Sequence, residues 1–164
     1  MTREEVLTNA RASVWDAIEN YSKFKGDYKL GKLYKLDDEQ PAMAQLRPAP
    51  ADLPAVFVIP ADISPRWIQN KRQFWPYRLQ MVCFVGGWAF SFAEGFCVRL
   101  IDCLGLSKDS DGIPYTKRAT GHYVKEFGPV QFLRTTLSEE RGGPKATRVN
   151  IGITMRLHVD PLRE

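Results

Sequence analysis

The stretch RVNIGITMRLHV, residues 148–159, alternates without a break for twelve positions. Val149, Ile151, Ile153, Met155, Leu157 and Val159 take one parity, and Arg148, Asn150, Gly152, Thr154, Arg156 and His158 take the other. Successive side chains of a strand point to opposite faces, so the pattern predicts one strand with a dry face and a wet face. At about 3.3 Å per residue it runs roughly 40 Å, well past the usual five or six residues. A strand of that length needs partners along its edges and an apolar layer over its dry face.

The rest of the chain supplies both. Thr2 and Glu5 have capping-box spacing, and Leu7, Ala10, Val14, Ala17, Ile18 and Tyr21 recur at helical spacing to about residue 21. LPAVFVIP, residues 53–60, reads as a short strand bounded by prolines, and a second strand spans roughly Tyr77 to Val85 before Gly86-Gly87 turns the chain. WAFSFAEGFCVRLIDCLG reads as a second helix with Gly105 as its C-terminal cap. Its polar residues, Ser91, Glu94, Arg99 and Asp102, form only a narrow stripe. A helix so apolar must be covered on most of its circumference, by the sheet on one side and elsewhere by a loop, the first helix or another subunit. YVKEFGPVQFLRTTL and ATRVNIGITMRLHV close the chain as a long hairpin around SEERGGPK. The expected fold is a two-layer α+β domain. Its sheet is mixed or antiparallel, with a long C-terminal hairpin and two main helices on one face. Residues 1–164 form a single domain, with long loops at about 22–52 and 60–76.

Charge and cysteine content narrow the function classes. Residues 22–35 carry five lysines and one aspartate, a local surplus equal to the net +4 of the whole chain, and LDDE follows at once. Such alternation describes a solvated loop better than a nucleic-acid footprint. Cys83, Cys97 and Cys103 are an odd number without CxxC or Cys/His spacing, so free thiols in a reducing cytoplasm are expected, with no metal and no cofactor. The N-terminal residues lack signal-peptide character, and Leu79 to Ala93 is too short to span a bilayer, so no membrane partner is expected.

No catalytic constellation stands out. Gly86-Gly87 lacks the GK[ST] of a phosphate loop, and His122 and His158, the only histidines, stand in no HExxH motif. Glu94 sits in an apolar helix but shares its polar stripe with Arg99 and Asp102, which favours a surface or interface charge over a catalytic acid. The chain therefore reads as a non-enzyme, an enzyme built on Glu94 and His122 being the weakest class. Segment 66–78, RWIQNKRQFWPYR, has binding character, interleaving Arg66, Arg72 and Arg78 with Trp67, Trp75 and Tyr77 and no acid. An interface for another protein ranks first, packing on the chain's own core second, and stacking on single-stranded nucleic acid third. The candidate interface residues are Arg66, Trp67, Arg72, Trp75, Arg148 and Arg156.

The order of elements, from the N-terminal helix through LPAVFVIP, YRLQMVCFV and AFSFAEGFCVRLIDCL to the hairpin ending in RVNIGITMRLHV, resembles the tail-terminator, or tail-completion, proteins of long-tailed bacteriophages. The resemblance is one of pattern over the whole chain, without a catalytic motif. It implies a virion structural protein assembled in the host bacterial cytoplasm and located at the tail–neck junction. It also implies a homo-oligomeric ring, usually of six copies, that caps the tail tube and stops its growth. Tail tube protein and neck or connector proteins are the implied partners, and genomic DNA passes through without specific recognition. The loops at 22–52 and 60–76 are longer than a minimal member needs and suit wrapping around an adjacent subunit or sheath-side partner. The alternative class is a single-stranded nucleic-acid-binding module using residues 66–78.

Overall fold

The computed structural model describes residues 3–35, 47–65, 73–106, 123–137 and 142–159. Helix α1 (Arg3–Glu19) is followed by strands β1 (Lys32–Tyr34), β2 (Ala55–Ile63) and β3 (Gln73–Gly86). Helix α2 (Phe90–Ile101) comes next, then β4 (Tyr123–Thr136) and β5 (Lys145–Val159). The five strands form one sheet in the order β1-β2-β3-β5-β4, with β1 parallel to β2 and the other pairs antiparallel. The architecture is the expected α+β layering with a C-terminal hairpin.

The alternating stretch lies within β5 and organises the molecule. It pairs with β3 from Gln73↔Val159 to Gly86↔Ala146 on one side and with β4 on the other. Val149, Ile151, Ile153, Met155 and Leu157 are buried against both helices, in one core with Leu79, Met81 and Cys83 of β3, Val14 and Ile18 of α1 and Phe96 and Leu100 of α2. Each such side chain removed from water contributes about 1.5–3 kcal/mol, so this parity supplies a substantial share of what holds the two layers together.

Five expectations are corrected. A short strand, β1, lies inside the span read as a loop at 22–52, held by bonds from the Gly31 and Lys32 amides to the Pro54 carbonyl. Both ends of the span read as a loop at 60–76 are strand, because β2 continues to Ile63 and β3 begins at Gln73, while 66–72 lie outside the described residues. Pro54 directly precedes β2, as expected, but Pro60 does not end it. The β1 pairing ends at Tyr34↔Phe57, so among the described residues Pro60 faces no neighbour on that side. Pro76 lies just past the last β2 pair, Ile63↔Tyr77, where its carbonyl accepts the Ser64 amide at 3.0 Å.

Gly105 is not a left-handed cap, because α2 runs on into a π-helical turn, Asp102–Leu106. A Cβ there would sit 2.8 Å from the Phe127 ring, so the glycine serves close packing on β4. Finally, the face away from the helices is not uniformly wet. Phe57, Val82 and Phe84 are buried there with Ala55, Leu137 and Ala146 in a second cluster. Tyr34 stacks on Phe57 at 4.4 Å and donates its hydroxyl to Asp52 at 2.8 Å. Burial, followed by that carboxylate, raises the Tyr34 phenol above its usual range.

Gly86 ends β3, and Gly87 turns the chain at a φ of 78°, as its sequence pair suggests. The Thr2 half of the capping box lies outside the described residues. All three cysteines are free and buried, and burial pushes their thiols up, so they act as small apolar side chains.

Candidate assembly surface

Helix α2 shows where the domain is incomplete. Ala93, Phe96, Cys97 and Leu100 face the sheet. A second side is covered by the turn after α1. Tyr28 stacks on Phe92 at 5.1 Å, and the Arg99 guanidinium lies 3.5 Å over the Tyr28 ring. Phe24 packs on Phe96 at 5.3 Å. Gly95 makes this possible, since a Cβ there would stand 2.5 Å from the Tyr28 hydroxyl. Gly95→Ala is therefore expected to displace the turn and cost about 1–3 kcal/mol in urea unfolding. An unchanged midpoint would mean that the turn does not brace α2.

The third side of α2 is open. Ser91, Glu94 and Val98 are exposed there, Val98 at 55%, and Phe90 at the helix start is 37% exposed. Glu94 and Asp102 stand one turn before and one turn after Val98, on the same side. Neither acid makes an ion pair among the described residues. The adjoining strand is β4, an edge of the sheet. Its first half is blunted by register shifts between Val124 and Glu126 and between Phe127 and Val130, the latter around Gly128-Pro129. Its second half is not. The Leu137 amide bonds the Pro144 carbonyl, so by the alternation of an antiparallel ladder Phe132 and Arg134 direct their backbone groups away from β5.

The β3–α2 turn joins this edge. Trp88 donates its indole N–H to the Thr135 carbonyl at 3.0 Å and carries Lys145 over its ring. Phe90 lies against Phe132 and carries Arg134 4.5 Å over its face. Trp88 stays 39% exposed despite these contacts. Aromatic rings, an exposed aliphatic and the outward-directed backbone of Phe132 and Arg134 make a surface suited to burial by another chain.

The residues singled out by sequence do not converge here. Arg66, Trp67 and Arg72 lie outside the described residues. Trp75 packs against the main core, Tyr77 is buried, and Arg78 pairs with Asp62. Arg148 and Arg156 do share the face away from the helices, both half-buried. Arg148 binds Asn150 at 3.0 Å and lies over Phe84, roofing the second cluster. Arg156 stands in register between Pro76 and Tyr123. Glu94 is on the open side of α2, whereas His122 lies outside the described residues.

Trp88, Phe90, Val98 and Arg134 were missed as site residues. Their signal was the excess apolarity of α2, which required a third cover without saying which residues would lack it. Among the described residues, no group of three or more His, Cys, Asp or Glu side chains is placed to hold a metal, and no helix is long and apolar enough to cross a membrane. The sequence matches no protein-family model and no curated protein.

Proposed function

We propose that the protein is a virion structural component, a tail terminator whose copies close into a ring that caps the tail tube and presents a surface to the neck. The observation that carries this reading is the open side of α2 beside the edge strand β4, where Trp88, Phe90 and Val98 are exposed in a single copy. Such a surface suits a protein that works by assembly. The order of elements, ending in the long hairpin, is what points to tail terminators in particular.

The two surfaces take different roles in this reading. The α2/β4 edge meets neighbouring copies, and the polar half of the opposite sheet face, with Arg156, Thr154 and Asn150, meets the tube or neck. Arg156→Glu is accordingly expected to weaken assembly on the tube while leaving the monomer folded. Normal assembly with only a lowered stability would remove that face from the account.

The direct test is negative-stain imaging of the purified protein mixed with headless tail tubes. Rings with a central hole, seated on tube ends, are expected. A protein that neither forms rings nor binds tube ends overturns the reading.

A further inference from the structure

We propose that the β4 edge of each copy is covered by residues 36–46 of the next copy, laid beside Phe132 and Arg134 as an added strand. The inference rests on the ring reading and specifies its joint.

The acceptor is the second half of β4. The outward-directed backbone of Phe132 and Arg134 offers hydrogen bonds to one more strand. Leu133 pairs with Arg148, so its side chain lies on the face away from the helices, where it is 48% exposed. Phe132 lies on the helix face against Phe90. An added strand therefore covers apolar surface on both faces. Arg134 and Lys145 are exposed, over the rings of Phe90 and Trp88, and neither makes an ion pair among the described residues. Glu94 and Asp102 belong to the open side of α2, and Glu126 to the first half of β4. Among the described residues, the second half of β4 thus has a positive edge.

Charge selects the donor. Residues 36–46 hold Asp37, Asp38 and Glu39 with no lysine or arginine, the largest acidic excess of any stretch outside the described residues. In an extended chain Asp37 and Glu39 share one face, and Leu36 and Asp38 the other. Turning Asp37 and Glu39 toward Arg134 and Lys145 puts Leu36 on the face of Leu133. Opposite charges then set the register while apolar contacts add affinity.

The position of the donor makes the contact one between copies. The described residues end at Lys35, directly after β1, and begin again at Arg47. Eleven residues tied at both ends reach roughly 18 Å from their anchors. β1 and β4 are opposite edges of a five-stranded sheet, so a strand added to β4 of the same copy would lie five spacings from β1, about 24 Å. The β4 edge of a neighbour set against β1 is within reach. Every copy offers both donor and acceptor, and such a heterologous contact closes into a ring when its rotation permits.

Charge reversal in two variants tests the contact, with mass read by light scattering and folding checked by thermal melting. The first carries Asp37→Lys, Asp38→Lys and Glu39→Lys. The second carries Arg134→Glu with Lys145→Glu, and Lys145→Glu alone guards against an effect of position 134 on Phe90. Each variant is expected to self-associate at least about tenfold more weakly than the unaltered protein. An equimolar mixture of the two is expected to recover the original mass, because each reversed segment then meets a reversed edge. Variants that assemble normally would overturn the contact and leave the ring reading standing. Weakened variants whose mixture fails to recover would overturn it too, since the charges would not face each other. An unaltered protein that stays monomeric would overturn the contact, and tube-end images would decide the ring reading separately.

Discussion

Ile151→Asp is expected to unfold the protein, whereas Thr154→Asp, three residues further along the same strand, leaves it folded. Ile151 is fully buried, between Met81 of β3 and Val130 of β4 and beneath the helices. A carboxylate there finds no partner and must either stay charged in an apolar layer or take up a proton. The loss exceeds about 4 kcal/mol, against a total stability of roughly 5–15 kcal/mol for a domain. Thr154 points the other way, between Arg78 and Glu126, so an added carboxylate meets one cation and one acid. Its effect stays within about 1 kcal/mol. Urea unfolding measures both variants. Equal shifts in midpoint would mean that the parity of β5 does not divide a core face from a polar one.

The second large effect is expected from Gly31→Ala. A Cβ at this position would collide with the Asp52 carbonyl and the Leu53 backbone, not with the free end of a side chain. The Gly31 amide binds the Pro54 carbonyl at 2.8 Å, which fixes the two segments at that separation. Relief requires β1 to move off β2, and the stack of Tyr34 on Phe57 goes with it. A loss of about 3 kcal/mol in urea unfolding is expected. Gly86→Ala is the control. Its added Cβ would meet only Leu53 Cδ1 at 3.8 Å, an ordinary contact, so a change within about 1 kcal/mol is expected. If Gly31→Ala unfolds where the unaltered protein does, β1 is not seated as described.

These two sites also mark how far the sequence could be read. The parity of β5 was legible because twelve unbroken alternations leave one way to put the apolar set inside. β1 was not. Three residues starting with a lysine carry no period, and their place depends on where Pro54 and Asp52 lie. Pro60 was read as a strand limit by a sound rule whose exception is a position with no neighbouring strand on one side, as here among the described residues. Trp75 is a different case. It shares its parity with Tyr77, Leu79, Met81, Cys83 and Val85, which marks it as core-facing, but the mixture of cations and aromatics in 66–78 drew attention instead. Arg148 and Arg156 were placed correctly on the face opposite the helices. That Arg148 spreads over Phe84 was hidden, because a second apolar cluster there depends on strand order. The need for a further cover on α2 followed from composition, whereas the identity of its open side depended on Tyr28 and Phe24 occupying another.

The central claim is that the open α2/β4 edge is covered by a second copy of the chain. The native mass of the purified protein, by light scattering across a range of concentrations, tests it most directly. The account predicts a closed assembly of about six copies, with a mass that stops rising once the ring is complete. A monomer at every concentration would contradict it. If that monomer also held single-stranded DNA at low salt and released it steeply as salt rises, the protein would belong with nucleic-acid-binding modules instead.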